Sequence, residues 1–240
     1  MVYVQFAPRR ALRAARLLAA DPDDLPKVFT IIEALSGNTL HRTARRMKKS
    51  ASGRRLLETK PDIVARLADR EALARVPEGT LGRAYLSFIE RENISPEGIM
   101  AAGEKGTTKE VRMPAPLDWV YGRMRDTHDL WHAAVGYSGD VLGETALLAF
   151  TFAQTWNPAI ALIIAIGLTK SGVAPLGGAA ARKTILEGFR RGRKAAWLPA
   201  QAWEEMLALP LDEVRRRLSL GAPPVYTELR SAAIKAAQAA

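Results

Sequence analysis

Apolar side chains recur along this chain at intervals of three and four residues, in segment after segment, and they alternate nowhere for long enough to build a sheet. Arg9 to Ala20 reads as a basic, alanine-rich helix. Leu25 to Leu35 reads as an apolar one, with Asp21-Pro22-Asp23-Asp24 breaking the chain between them and Pro26 tolerated in the first turn. Thr39 to Lys49 and Ser52 to Leu57 follow, interrupted by Gly53 and stopped by Pro61. Leu81 to Glu92 sets Leu81, Tyr85, Phe88 and Ile89 on one stripe, the pattern of a helix that buries one side. Asn93 to Pro116, polar and bearing glycine and proline, reads as a connecting loop, with a lid as its functional alternative. Leu117 to Val135 reads as one helix, begun near Asp118 and halted at Gly136. Val2 to Phe6 alternates weakly and is too short to pair.

The most apolar run, Pro158 to Leu168, is shorter than the ~20 residues that a membrane-crossing helix needs. It reads as a core helix, or else as one that lines a channel for a lipid tail or dips into a membrane interface, with Phe150, Phe152 and Trp156 widening that surface. The pattern as a whole predicts an all-α fold. No Ser/Gly/Pro-rich linker divides the chain, so a single multi-helix domain over residues 1–240 is expected, with a basic N-terminal helix within 1–20 and an extension of open role over 222–240.

Charge changes this picture in one respect. The formal net charge is +10, which calls for anionic partners: a lipid surface, a carboxylated or phosphorylated substrate, or nucleic acid. Arg42, Arg45, Arg46, Lys48 and Lys49 form one basic cluster, and Arg190, Arg191, Arg193 and Lys194 another. Solvated faces explain such runs most simply; attraction to anionic lipid, at roughly 1 kcal/mol per charge, is the alternative. Nucleic acid is disfavoured, because no reading motif accompanies the charge and aromatics are not interleaved with it. Arg9, Arg10, Arg13 and Arg16 imitate a transit peptide but are read as mature structure. Gly177-Gly178 ahead of Arg182 and Lys183 is a weak anion cradle, read as an ordinary loop. The chain lacks cysteine, which excludes disulfides and thiolate chemistry, and it has neither a Walker loop nor a dinucleotide fingerprint.

Chemistry concentrates in one place. Of three histidines, two stand four apart as His128-Asp129-x-x-His132, and Glu144 follows after eleven intervening residues. On a helix His132 lies ~40° round from His128 and Asp129 ~100° round, so the three project within about a third of the circumference. Gly136-Tyr137-Ser138-Gly139 reads as a turn, and Ser138 or Asp140 can cap a second helix that folds Glu144 back onto the histidines, with Gly143 leaving room for a close approach. A metal site on a helical hairpin is therefore expected, with His128, Asp129, His132 and Glu144 as metal ligands. Nitrogen and carboxylate donors suit a divalent metal, zinc before others, and the lack of thiolates argues against an iron–sulfur cluster. Arg123 and Arg125, about a turn before His128, are candidate anion or outer partners of the site. The bland alternative satisfies both histidines inside a helix pair and bonds Glu144 to Arg123 or Arg125.

His-Asp-x-x-His-x11-Glu resembles the signature of the coenzyme Q (ubiquinone) biosynthesis proteins of the Coq-four family. Pro77-Glu78-Gly79-Thr80-Leu81-Gly82-Arg83-Ala84-Tyr85 resembles another of its stretches, as do Gly53 to Leu57 with Pro61, Val141 to Glu144, Gly192 to Ala195, Trp203-Glu204, and Leu211 to Leu220. The resemblance implies an all-helical protein holding a divalent metal, generally zinc. The implied activity is that of a carbon–carbon lyase: decarboxylation at C1 of a polyprenylated 4-hydroxybenzoate, in an oxidative version with hydroxylation. It equally implies a noncatalytic prenyl-lipid-binding scaffold that organises the other ubiquinone biosynthesis proteins. Expected partners are the prenylated hydroxybenzoate, the membrane surface, those other proteins and a second copy of the chain in a homodimer. The implied location is peripheral, on the cytoplasmic face of a bacterial inner membrane or the matrix side of the mitochondrial one. An HD-type phosphohydrolase would need a further histidine ahead of His-Asp, and only His41 is available.

Overall fold

Local start signals place many of the helices. In the computed structural model, which describes residues 6–21, 23–107, 113–171 and 178–230, every described element is helical apart from one isolated bridge between Thr80 and Pro210. The fold is all-α. The helices are α1 (Pro8–Ala20), α2 (Leu25–Leu35), α3 (Thr39–Met47), α4 (Ala51–Thr59), α5 (Ile63–Ala68), α6 (Arg70–Arg75), α7 (Leu81–Glu92), α8 (Pro96–Gly106), α9 (Leu117–Asp126), α10 (His128–Val135), α11 (Val141–Thr155), α12 (Pro158–Ser171), α13 (Gly178–Lys194) and α14 (Leu211–Arg217). Ser50, Asp62, Asp69, Thr80 and Ser95 each accept a backbone N–H three residues on, a cap worth about 1 kcal/mol apiece. The weak alternation at Val2–Gln5, Pro22, the Gly177 cradle and the last ten residues of the extension lie outside the described residues.

Three expectations need correction. The stretch from Asn93 to Pro116 is not all loop: Ser95 caps α8, Pro96 supplies a preset first turn, and the helix packs on α2. Its glycines hid it. Gly106 marks a close approach, since a Cβ there would lie 2.2 Å from the Pro26 carbonyl oxygen. Likewise Gly53 does not interrupt a helix; it sits in the first turn of α4, where the backbone of Met47 crosses too closely for a side chain. The third correction bears on the site: Leu117 to Val135 forms two helices, not one, with Thr127 between them at φ −91°, ψ 0°.

The core gathers around α7, α10 and α11. Tyr85, Phe88 and Ile89 of the predicted α7 stripe pack with Leu130 and Trp131 of α10, Leu147 and Phe150 of α11, and Trp203 downstream. Phe150 therefore lies in the core rather than widening an outer surface, whereas Trp156 is half exposed. The apolar helix α12 packs on α11, α2 and α1, burying Ala159, Ile160 and Ile163. No helix among the described residues is long and apolar enough to cross a membrane.

Helices α11 and α13 pack most extensively among the described residues, and glycine makes it possible. A Cβ on Gly188 would meet the Ala146 carbonyl oxygen at 2.2 Å, so the two backbones touch there. Gly188→Ala is expected to lower unfolding free energy in urea by about 1–3 kcal/mol, as overpacking does. Gly98→Ala, in α8, meets nothing nearer than 3.7 Å and should be neutral or stabilising by a few tenths to about 1 kcal/mol. Equal effects from both would contradict this packing.

Candidate metal centre

The break at Thr127 and the turn after Val135 decide where the donors point. Thr127 ends α9, its hydroxyl donating to the Arg123 carbonyl at 2.7 Å, and α10 restarts at His128. Gly136, at φ 93°, stops α10 in the left-handed conformation that glycine adopts without penalty. Four residues later Asp140 caps α11, accepting from the N–H groups of Leu142 and Gly143 at 3.0 and 3.3 Å, so Glu144 falls in the first turn of that helix. Helix α10 packs chiefly on α7, and α11 chiefly on α13. The donors thus meet at the corner between two helices rather than along the seam of a packed hairpin.

At that corner His128, His132 and Glu144 each offer one ligand atom within 4.8 Å of the others. His132 is the fixed point. It is fully buried, stacked on Phe88 at 5.0 Å and met edge-on by His128 at 4.9 Å. Its Nδ1 lies 3.0 Å from the Tyr137 carbonyl oxygen. A carbonyl can only accept, so Nδ1 carries the proton, and in the neutral ring Nε2 presents its lone pair to the corner. That Nε2 lies 3.1 Å from Glu144 Oε1, close enough for Coulomb attraction, yet the angle makes no hydrogen bond and the atom has no other partner. In the neutral ring that lone pair faces a carboxylate, an opposition that a bound cation would relieve. His128 Nε2 is 3.3 Å from Glu144 Oε2. The His128 and Glu144 side chains are 22% and 41% exposed, so the corner opens to solvent on their side.

Charge reinforces the geometry. Burial alone would raise the Glu144 carboxyl, but His132 and then His128 hold it well below the usual carboxylate range. Burial opposes a charged His132, and Glu144, Asp129 and the Tyr137 carbonyl overcome it, so its pKa is raised. Asp129 is buried beside these groups and does not join the converging donor atoms. Burial pushes its carboxyl upward, with Glu144 adding to the push and the two histidines opposing it. The arginines are engaged elsewhere. Arg123 is buried and clamps Glu204 through two bonds of 2.6 and 2.9 Å, while Arg125 pairs with Asp126 at 2.6 Å. Glu144 bonds to neither, contrary to the bland alternative.

Phe88 and Tyr137 were not legible as site residues. Phe88 shows in the sequence only as part of a core stripe, and the contribution of Tyr137 is a backbone carbonyl, which no side-chain pattern announces. The donor chemistry itself fits a divalent ion: two imidazole nitrogens and a carboxylate, with one imidazole held in its tautomer by a backbone carbonyl.

The sign of each shift sets a pH window for the metal-free protein. Stability from Glu144 is present above its ordinary 4.5 and is lost as pH falls through the lower folded value. Stability from His132 is present below its ordinary 6.5 and is lost as pH rises through the raised folded value. The urea midpoint of metal-free protein should therefore decline on the alkaline side of about pH 7, with the decline flattened in His132→Gln. Zinc, which competes with the same protons, should bind more weakly at about pH 5.5 than at 7.5 by isothermal titration. A midpoint flat across this range in the wild type would contradict the pairing.

Comparison with known proteins converges on one family. The family described as "Coenzyme Q (ubiquinone) biosynthesis protein Coq4" matches residues 9–224, a span that contains every candidate site residue. The chain is 31% identical over 200 residues to the mitochondrial ubiquinone biosynthesis protein COQ4 homolog of Danio rerio, covering 82% of this chain and 70% of that protein. The corresponding protein of Bos taurus is 27% identical over 235 residues, covering 95% and 86%. A crystal structure of a protein from Nostoc punctiforme shares the fold, with a TM-score of 0.68 at 23% identity over 91% of this chain and 100% of that one. On the extent of the family match and the identity to these relatives, the chain belongs to the Coq4 family of coenzyme Q (ubiquinone) biosynthesis proteins.

Proposed function

We propose that this protein is a metal-dependent aromatic carboxy-lyase that removes the C1 carboxylate of a polyprenylated 4-hydroxybenzoate in ubiquinone biosynthesis. The observation that carries the reading is the buried His132 Nε2, which lacks a hydrogen bond and faces Glu144 and His128 in a corner open to solvent on one side. His128, His132 and Glu144 would hold a divalent ion, zinc for preference, with Asp129 as a fourth ligand or as an acid beside them. When bound, such an ion supplies Lewis-acid polarisation of a carboxylate or phenolic oxygen. His132 keeps its lone pair aimed at the corner because the Tyr137 carbonyl holds the opposite nitrogen. Breaking the bond from C1 to the carboxylate leaves its electron pair on C1, and a proton must replace the departing CO2. Asp129, driven toward its protonated form by burial, is the group suited to donate it. An oxidative version that leaves a hydroxyl at C1 would draw on molecular oxygen or another oxidant from outside the chain.

A water-insoluble substrate places the reaction at a membrane surface. Supporting this, the outer face of α1 exposes Leu12 (52%) and Leu17 (48%) in a shallow groove among Arg9, Arg13 and Arg16. Apolar side chains ringed by arginine suit an anionic lipid interface. The proposed location is peripheral, at the cytoplasmic face of a bacterial inner membrane or the matrix side of the mitochondrial one, in company with other ubiquinone biosynthesis proteins and a second copy of this chain.

Incubating zinc-loaded protein with a ring-carboxyl-labelled prenylated 4-hydroxybenzoate under air should release labelled CO2, and His132→Ala should reduce release at least about a hundredfold. No release from wild type that still binds zinc and prenyl lipid would favour the scaffold; release unaffected by His132→Ala would remove this site from the chemistry. Separately, Leu12→Asp/Leu17→Asp should lower co-sedimentation with phosphatidylglycerol vesicles several-fold, and unchanged sedimentation would remove α1 from the interface.

A further inference from the structure

The turn between α10 and α11 carries both settings of the donor group. Tyr137 supplies the carbonyl that holds the His132 ring, and Asp140 caps the helix whose first turn bears Glu144. The two helices pack chiefly on different neighbours and touch each other little, and residues 223–230 run along the turn that joins them.

The contacts run along the turn almost residue by residue. Pro223 packs on Gly136. The Tyr226 ring lies 5.9 Å from that of Tyr137, and its hydroxyl accepts from the Ser138 N–H at 3.0 Å while donating to Asp140 Oδ2 at 2.8 Å. The Leu229 N–H donates to Asp140 Oδ1 at 2.7 Å, and the Leu229 carbonyl accepts from the Val141 N–H at 3.0 Å. The Leu229 side chain is buried with Leu142 and Ile185. Arg230 grips Glu92 at 2.5 Å, and the Glu92 side chain lies against Gly139, where a Cβ would meet it at 3.0 Å. Gly143 sits between the turn and this segment, for a Cβ there would lie 2.1 Å from the Ser138 carbonyl oxygen and 2.4 Å from the Tyr226 hydroxyl. The family match ends at residue 224, short of Tyr226, Glu228, Leu229 and Arg230.

We infer that this segment is a positioning strap, which sets the Gly136–Val141 turn and through it the separation of His132 from Glu144, so that metal affinity depends on Tyr226 and Arg230. The inference rests on the metal-site reading above. Losing the Tyr226 hydroxyl strips one hydrogen bond from Asp140 and leaves the Ser138 N–H without its acceptor, while the Asp140 Oδ1 cap of α11 survives. The fold should hold and the corner should loosen.

The test uses full-length protein loaded with Co2+, whose visible absorption reports coordination geometry, with affinity measured by chelator competition. Tyr226→Phe is expected to weaken Co2+ binding about tenfold and to change the absorption envelope, as loss of a group that orients a ligand does. Arg230→Ala should weaken it in the same direction. Leu18→Ala, buried among α1, α2 and α12 far along the chain from the corner, serves as the destabilised control and should lower the melting temperature while leaving affinity unchanged. Wild-type affinity and spectrum in both strap variants would overturn the strap, as would equal weakening in Leu18→Ala. His132→Ala separates the two readings: if it keeps full Co2+ affinity the metal site itself fails, and if it loses affinity while both strap variants keep it, only the strap fails.

Discussion

One hydrogen bond organises the site: His132 Nδ1 to the carbonyl of Tyr137, 3.0 Å within a fully buried setting. It places a proton on Nδ1, so that Nε2 is the atom turned to the Glu144 carboxylate: protonated it pairs with that charge, and deprotonated it offers its lone pair to a cation. Everything around the corner follows from keeping that arrangement. Phe88 stacks on the ring and fixes its plane, Gly136 lets the chain reverse soon enough for Tyr137 to reach back, and Asp140 starts α11 where Glu144 can face both imidazoles.

The electrostatics explain why such a corner has to be held from outside. A buried imidazole beside a carboxylate is a high-stakes pair in a medium of low polarity: well placed it is stabilising, poorly placed it leaves buried charge uncompensated. The His128 and Glu144 side of the pair is open to solvent, which gives a ligand a way in and weakens the grip of packing on that side. The C-terminal segment answers this with polar contacts on the turn itself, from Tyr226 and the Leu229 backbone, beside the buried Leu229 side chain. Arg123 contributes at a distance, tying α9 to the segment that carries Glu204 so that α10 starts from a fixed end.

Much of the site was legible in the residues. The spacing of His128, His132 and Glu144 follows from helix periodicity, and periodicity is local: it holds whatever the rest of the chain does. Asp129 shared that logic, but a position ~100° round the helix gains or loses a role according to what packs beside it, and here it is buried next to the pair, outside the three converging donor atoms. Arg123 and Arg125 stood near the motif in sequence, and their carboxylate partners, one of them about eighty residues away, could not be read from that neighbourhood. Helix α8 escaped because glycines usually break helices, and only contact with α2 shows that Gly106 is small for the sake of packing.

The amino-acid sequence by itself determined the all-α class, many of the helices, the Asp140 cap of α11 and the chemical type of the site, because hydrophobic period, capping side chains and the donor set are properties of neighbours along the chain. Tertiary structure alone decided how α10 and α11 meet, which donors converge, and what holds them there. The grip of Tyr226, Leu229 and Arg230 on the turn joins residues about ninety or more positions apart, with Arg230 reaching back 138 positions to Glu92. No periodic signal spans such distances; only the packed chain brings those groups within hydrogen-bonding range.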